Sequence, residues 1–247
     1  MRTLVALVVA AWLTAATAQP AADAIRLAVE NPARSVMDRE RDASDKPAEL
    51  MTFAGIAPGM TVTDIFGGGG YWAELFSYAV GPSGRVLLVN NMPYRTGARE
   101  ELGTRLGNNR LPNVEHRTVE ASYMLLPESS IDLAVIVMSY HDLYYVAEGW
   151  PAIDVERFFA AVHRALKPGG RFLIIDHAAP AGSGKAPAQN LHRIDPQFAV
   201  QDISSRGFVL EKSWDGLRNP MDDYSKGVFD AAVRRKTDRF VQLYRKR

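Results

Sequence analysis

The sequence predicts an α/β fold built on a doubly wound sheet of about seven strands, mostly parallel, with an antiparallel last strand. Three observations predict it. From Met60 onward, short apolar runs alternate with segments of helical periodicity. The first run leads straight into four consecutive glycines, Gly67 to Gly70, where a helical pattern begins. Strands joined by helices lie parallel and are covered on both faces. The last two runs have no helical pattern between them, so they read as a terminal hairpin with the final strand inserted antiparallel.

In chain order, a short helix is expected around residues 34–41 and a second over 47–55, with Asp45 as its cap. Pro58-Gly59 makes a turn before a β-branched strand at 61–66. A helix over 71–80 ends in the turn Gly81-Pro82-Ser83-Gly84. A buried strand at 85–90, a helix at 95–106 and a third strand at 114–119 follow. The strand at 131–138 is strongly apolar. The amphipathic segment 154–166 is stopped by Lys167-Pro168-Gly169-Gly170, and a fifth strand covers 171–176. Asp195-Pro196 opens another helix in the cap-then-proline order. The last strands are 208–214 and 240–244. Residues 177–194 form a long stretch rich in Ala, Gly, Pro and Ser; loops of that length are usually functional or mobile.

Composition bounds the partners. Apolar residues make up 47% and charged residues 23% of 247, enough to bury a normal core. A net charge of +1 gives no reason to expect a nucleic-acid or anionic-membrane partner. Cysteine is absent, which excludes disulfides, thiolate metal sites and a cysteine nucleophile. Arg2, the apolar run from Leu4 to Leu13 and the small-x-small triplet Ala16-Thr17-Ala18 read as a signal peptide over residues 1–18. The mature chain is then expected to be exported, in a periplasm, with no transmembrane segment after the leader. Residues 19–45 read as an N-terminal extension and 46–247 as one domain.

The sharpest signal is Asp64-Ile65-Phe66-Gly67-Gly68-Gly69-Gly70-Tyr71. Glycines at a strand-to-helix junction let a ligand approach the backbone, and the helix offers unpaired N–H groups. Gly68-x-Gly70-x-x-Ala73 also satisfies a dinucleotide pattern, but the position about 20 residues on is Asn90 rather than an acid.

The same stretch resembles motif I of the class I S-adenosylmethionine-dependent methyltransferases. Asp64 matches its acid, Gly68 and Gly70 its second and third glycines, and Phe66 stands where the first glycine is usual. Leu166-Lys167-Pro168-Gly169-Gly170-Arg171-Phe172 is similar to that family's turn into strand five. Leu126-Pro127 and the late strand pair fit as well. The resemblance runs from about Asp45 to the C-terminus and implies a Rossmann-like fold with S-adenosyl-L-methionine as cofactor and a small-molecule substrate as the expected partner. It implies that Asp64, Phe66, Gly67, Gly68, Gly70 and Tyr71 surround the donor's amino-acid part. Asn90 and Asn91 stand where an acid usually meets the ribose, Glu120 matches the acid that meets adenine, and Ser139 completes the set. An amide at Asn90 lacks the charge-assisted bond, which is about twice as strong as a neutral one. Two other readings stay open: a non-catalytic ligand-binding protein of the same fold, and an NAD-dependent oxidoreductase.

Methyl transfer starts from an activated donor, so the protein positions, desolvates and sometimes removes a proton. Candidates for substrate contact or base catalysis lie at strand ends: His141 and Asp142 after the fourth strand, His177 after the fifth, and His192 at the end of the long loop. Their spacing matches no compact metal motif, so no metal is expected. The aromatics Tyr71, Trp72, Tyr140, Tyr144, Tyr145 and Trp150 read mainly as packing.

Overall fold

The structure is a computed structural model that describes residues 19–247; the signal-peptide expectation for residues 1–18 lies outside the described residues. A helix over residues 19–29 (α1) opens the described chain. It is followed by α2 (Val36–Asp45) and α3 (Pro47–Ala54). Next come β1 (Thr61–Ile65), α4 (Tyr71–Val80), β2 (Arg85–Asn90), α5 (Met92–Gly97), α6 (Arg99–Leu106) and β3 (Val114–Thr118). The second half holds β4 (Ile131–Val137), α7 (Val155–Ala165), β5 (Leu166–His177), α8 (Ala188–Leu191), α9 (Pro196–Ser204), β6 (Phe208–Trp214) and β7 (Arg239–Lys246).

The seven strands form one sheet in the order β3-β2-β1-β4-β5-β7-β6. The first five are parallel, and β7 enters antiparallel between β5 and β6. The central strands are buried on both faces, and their side chains alternate between them. Leu87, Val89, Ala134, Ile136, Phe172 and Ile174 pack into one apolar layer. Val86, Leu88, Leu133, Val135, Leu173 and Ile175 pack into the other.

Three expectations change. The sequence reading placed no helix before residue 34, yet α1 is there, anchored by buried Ile25 and Ala28. The single helix expected at 95–106 is two, broken at Ala98, because Asn91 caps and Pro93 opens a separate short helix. The stretch expected as a turn at 167–170 lies inside β5, which leaves α7 directly and accommodates the glycines at a register shift against β4.

Two ionic clusters fix the periphery. Asp42 on α2 accepts two bonds from Arg34 at 2.7 and 2.6 Å and one from the Tyr71 hydroxyl at 2.6 Å. Arg105 on α6 pairs with Asp38 at 2.8 Å and with Glu74, and Arg239 on β7 pairs with Asp45 at 2.8 Å. Residues 30–45 are thereby tied to α4, α6 and β7. On the opposite flank, fully buried Arg193 donates to both oxygens of Asp222 at 2.8 and 3.0 Å and to the carbonyls of Ala178 and Lys226. This pair pins residues 215–238, which link β6 to β7, onto the exit of β5. Removing one partner of a buried pair strands the other charge, at a cost of about 3–5 kcal/mol. Arg193→Met is therefore expected to lower the unfolding free energy by that amount, read as a lower urea midpoint at an unchanged slope.

Candidate functional site

The carboxyl ends of β1, β2, β4 and β5 share one edge of the sheet. Asp64, one residue from the end of β1, is completely buried, and neither carboxylate oxygen has a hydrogen-bond partner. Burial pushes its pKa up to about 7. The Ala73 amide, which faces it outside hydrogen-bond geometry, and the guanidiniums of Arg41 and Arg105 pull the other way without reversing this. The glycine turn wraps this group. A β-carbon at Gly67 would stand 2.3 Å from Asp64 Oδ2 and 2.5 Å from Leu88, so no other residue fits there. Gly67 is thus closed by buried neighbours and Gly69 is crowded by Glu101, whereas Gly68 has room for a methyl group and is restricted by its φ of +57°.

A cavity of about 200 Å³ opens over the turn, walled by Arg41, Asp64, Phe66, Gly68, Tyr71 and Tyr94, with Ser139 at its far side. Asn90 does not face it freely. Its Oδ1 accepts from the Gly68 N–H and its Nδ2 donates to the Gly68 carbonyl, both at 2.9 Å. Asn91 caps α5 by accepting from the Tyr94 N–H at 3.1 Å. Tyr94 stacks on Phe66 with centroids 5.3 Å apart and nearly parallel planes. Its hydroxyl lies 2.8 Å from Asp142 Oδ2 and 3.0 Å from Ser139 Oγ. Glu120 stands apart: it accepts from the Met92 N–H at 3.3 Å and lines a different cleft with Ser122, Asp154 and Arg157.

His141 and His177 gather around Asp176, the fully buried penultimate residue of β5. Its carboxylate accepts from the backbone N–H groups of His141 and His177, each at 2.7 Å, and meets His141 Nδ1 at 2.8 Å. Burial lowers the His141 pKa, but Asp176 outweighs it and the net direction is upward. With Nδ1 held, His141 Nε2 faces His192 Nδ1 and Asp142 Oδ1, each at 3.3 Å. His192 sits at φ +53°, between the rings of Tyr145 and Phe229. His177 is turned elsewhere. Its Nδ1 bonds Thr237 at 2.7 Å, and burial, followed by the neighbouring cationic groups, holds its pKa well below the usual range. Three of the four catalytic candidates thus converge, and the fourth faces a neighbouring cavity with Arg41, Asp45 and Met138. The sequence reading missed Arg41 and Tyr94. Tyr94 was within reach through the Asn91-Met92-Pro93 cap signal; Arg41 carries no local signal.

A glycine-lined first crossover, the strand order with its reversal between β1 and β4, and an antiparallel last strand are the architecture of the class I S-adenosylmethionine-dependent methyltransferases. The chain carries the corresponding domain: residues 64–174 match the family described as a methyltransferase domain. Among curated proteins it is 28% identical over 186 residues to the ubiquinone/menaquinone biosynthesis C-methyltransferase UbiE of Saccharophagus degradans, covering 72% of this chain and 68% of the relative. It is 31% identical over 165 residues to UbiE of Pasteurella multocida, covering 64% of this chain and 57% of the relative. The chain spans 57% to 61% of the length of several such relatives. The fold is shared with an S-adenosylmethionine-dependent methyltransferase of Aquifex aeolicus, at TM-score 0.58 and 19% identity over 81% of this chain and 88% of that one. It is shared too with geranyl diphosphate C-methyltransferase of Streptomyces coelicolor, at TM-score 0.59 and 15% identity over 89% and 84% of the two chains.

The buried carboxylate has a consequence for stability. An acid with pKa about 7 when folded and near 4 when unfolded holds more protons in the folded state between those values, so stability falls as pH rises and levels off above 7. Relative to Asp64→Asn, the wild-type protein should lose up to about 4 kcal/mol of unfolding free energy between about pH 4 and pH 8. Urea titrations at a series of pH values check this.

Proposed function

We propose that the protein transfers a methyl group from S-adenosylmethionine, held in the glycine-turn cavity, to a small aromatic acceptor at the carboxyl ends of β4 and β5. The observation that carries this reading is the partnerless Asp64 carboxylate. A buried charge without a partner is costly, and an ammonium group restores its favourable state. The α-ammonium of the donor has the right charge, and the bare turn leaves room for its approach. When bound, the donor supplies a methyl group already activated on a sulfonium.

The chain's own residues would do the rest. Asp64 fixes the amino-acid end. Asn90, clasping Gly68 on both sides, keeps the turn from rearranging. Phe66, Tyr94 and Trp150 form an aromatic wall that excludes water, with centroids 5.3 to 6.0 Å apart. The cavity is small for a nucleoside-sized ligand, since pockets for such molecules run from about 300 Å³. Arg41 also lines neighbouring cavities of about 180 and 470 Å³, so a shift of its side chain would enlarge the space toward them. On the acceptor side, Tyr145 and exposed Phe229 flank His192 and offer flat apolar contact. The names of the curated relatives support a quinol-type ring as the acceptor class. The leader-like residues 1–18 support action outside the cytoplasm.

Calorimetry on the purified chain tests the donor site. S-adenosylmethionine and S-adenosylhomocysteine should bind and NAD should not. Asp64→Asn should weaken binding about tenfold or more, as loss of a charged bond implies. Gly67→Val should abolish it. Folded wild-type protein that binds neither sulfur compound would overturn the proposal.

A further inference from the structure

Three ligand-type atoms meet beside the donor cavity. His141 Nε2 lies 3.3 Å from His192 Nδ1 and 3.3 Å from Asp142 Oδ1, and the last two are 3.7 Å apart. A zinc-type ion with bonds of about 2.0 Å places its ligands about 3.3 Å apart at tetrahedral corners. The spacing in the protein therefore matches a coordination face. We propose that His141, His192 and Asp142 bind one divalent first-row transition ion.

The surroundings are those of a metal site. Metal-bound imidazoles are commonly oriented by a carboxylate on the other ring nitrogen. Asp176 holds His141 in that way at 2.8 Å and is itself locked by two backbone N–H groups. Asp142 is oriented from behind as well. The Tyr94 hydroxyl occupies its Oδ2, which leaves Oδ1 directed at the two imidazoles. His192 is brought to the site in the left-handed region, φ +53°, where a residue with a β-carbon is strained. Its neighbour Arg193 holds that turn by a buried pair. His141 and Asp142 are buried, while the His192 side chain keeps 21% of its surface exposed, so the site has a path to solvent.

Ligand type selects the ion. Two imidazoles and one carboxylate suit zinc, cobalt, iron or nickel, whereas magnesium and calcium require oxygen. Three protein ligands leave a fourth position free for water or for an oxygen of a bound molecule. Tyr94 walls the glycine-turn cavity and touches Asp142, so one aromatic ring separates the ion from that cavity. Metal binding does not rest on the methyltransferase reading and is measured without it.

The test uses tag-free full chain, stripped with a chelator and titrated with Co²⁺, then with Zn²⁺ in competition. Wild type should bind one equivalent of Co²⁺ with visible d–d absorption, displaced by Zn²⁺ and untouched by excess Mg²⁺ or Ca²⁺. His192→Ala and Asp142→Asn should weaken binding at least 100-fold. Asp176→Asn, which leaves the ligands in place, should weaken it 10- to 100-fold. His163→Ala, on α7 away from the cluster, should change nothing. Circular dichroism checks folding, and His192→Asn replaces His192→Ala if that variant fails to fold, because Asn tolerates the left-handed backbone. Folded wild type without a Co²⁺ spectrum would show that the histidines only bond to each other, and the proposal falls. It falls equally if both His192 variants keep wild-type affinity, or if His163→Ala loses it.

Discussion

Parallel strands end on the same edge, and in this sheet the order reverses between β1 and β4. Chain leaving β1 turns toward β2, while chain leaving β4 turns toward β5. The two exits diverge, and a crevice opens between the glycine turn at 67–70 and the segment Ser139–Asp142. The site residues at the strand ends depend on this divergence. Asp64 comes from β1, Asn90 from β2, and Ser139, His141 and Asp142 from the exit of β4. Asp176 and His177 come from β5. A sheet with the same strands in simple sequence order would offer no such cleft, whatever its side chains.

Along this edge the polar groups are almost all satisfied from within. Asn90 is bonded to Gly68, Asp142 to Tyr94, and Asp176 to two amides and an imidazole. Each network holds a geometry, because a buried polar atom that loses its partner costs about 1–3 kcal/mol. The Asp64 carboxylate and Trp72 Nε1 are exceptions, and the isolation of Asp64 has a cause in the backbone: the turn that surrounds it is made of glycines, which have no side chains to donate. The feature that clears space for a ligand is therefore the feature that leaves the carboxylate without a partner.

Much of this was legible in the sequence. The helix Tyr71–Val80 lies where its apolar spacing and flanking glycines put it, and the central strands β1, β2, β4 and β5 were visible as apolar runs. What stayed hidden was non-local. Asn90 was placed at the ribose position by its place after the second strand, yet its amide is engaged with Gly68, a contact across 22 residues. The histidines were placed on the ligand edge, but their partners could not be read. His141 meets Asp176 across 35 residues and His192 across 51, so chain spacing held no trace of a ligand cluster. The helix at 19–29 has a short, alanine-rich sequence and owes its position to packing of Ile25 and Ala28.

The N-terminal extension is held by charges rather than by a broad apolar face, and this bears on how the cavity opens. Arg34–Asp42, Arg105–Asp38 and Arg239–Asp45 are wholly or largely buried pairs. Breaking one strands a charge at a cost of about 3–5 kcal/mol, so α2 as a body stays in place. Arg41 is different. Its side chain is 28% exposed, pairs with Asp45 over one helical turn, and lies 4.0 Å above the Tyr71 ring. A part-exposed ion pair and a cation–π contact are each worth about 1 kcal/mol or less. Asp45 keeps its Arg239 partner when Arg41 leaves. The Arg41 side chain is thus the cheapest element of the extension to move, while the helix that carries it is among the costliest. Arg41 lines all three cavities, sharing two of them with Tyr71 and two with Met138, and its side chain can be displaced without moving the helix that carries it.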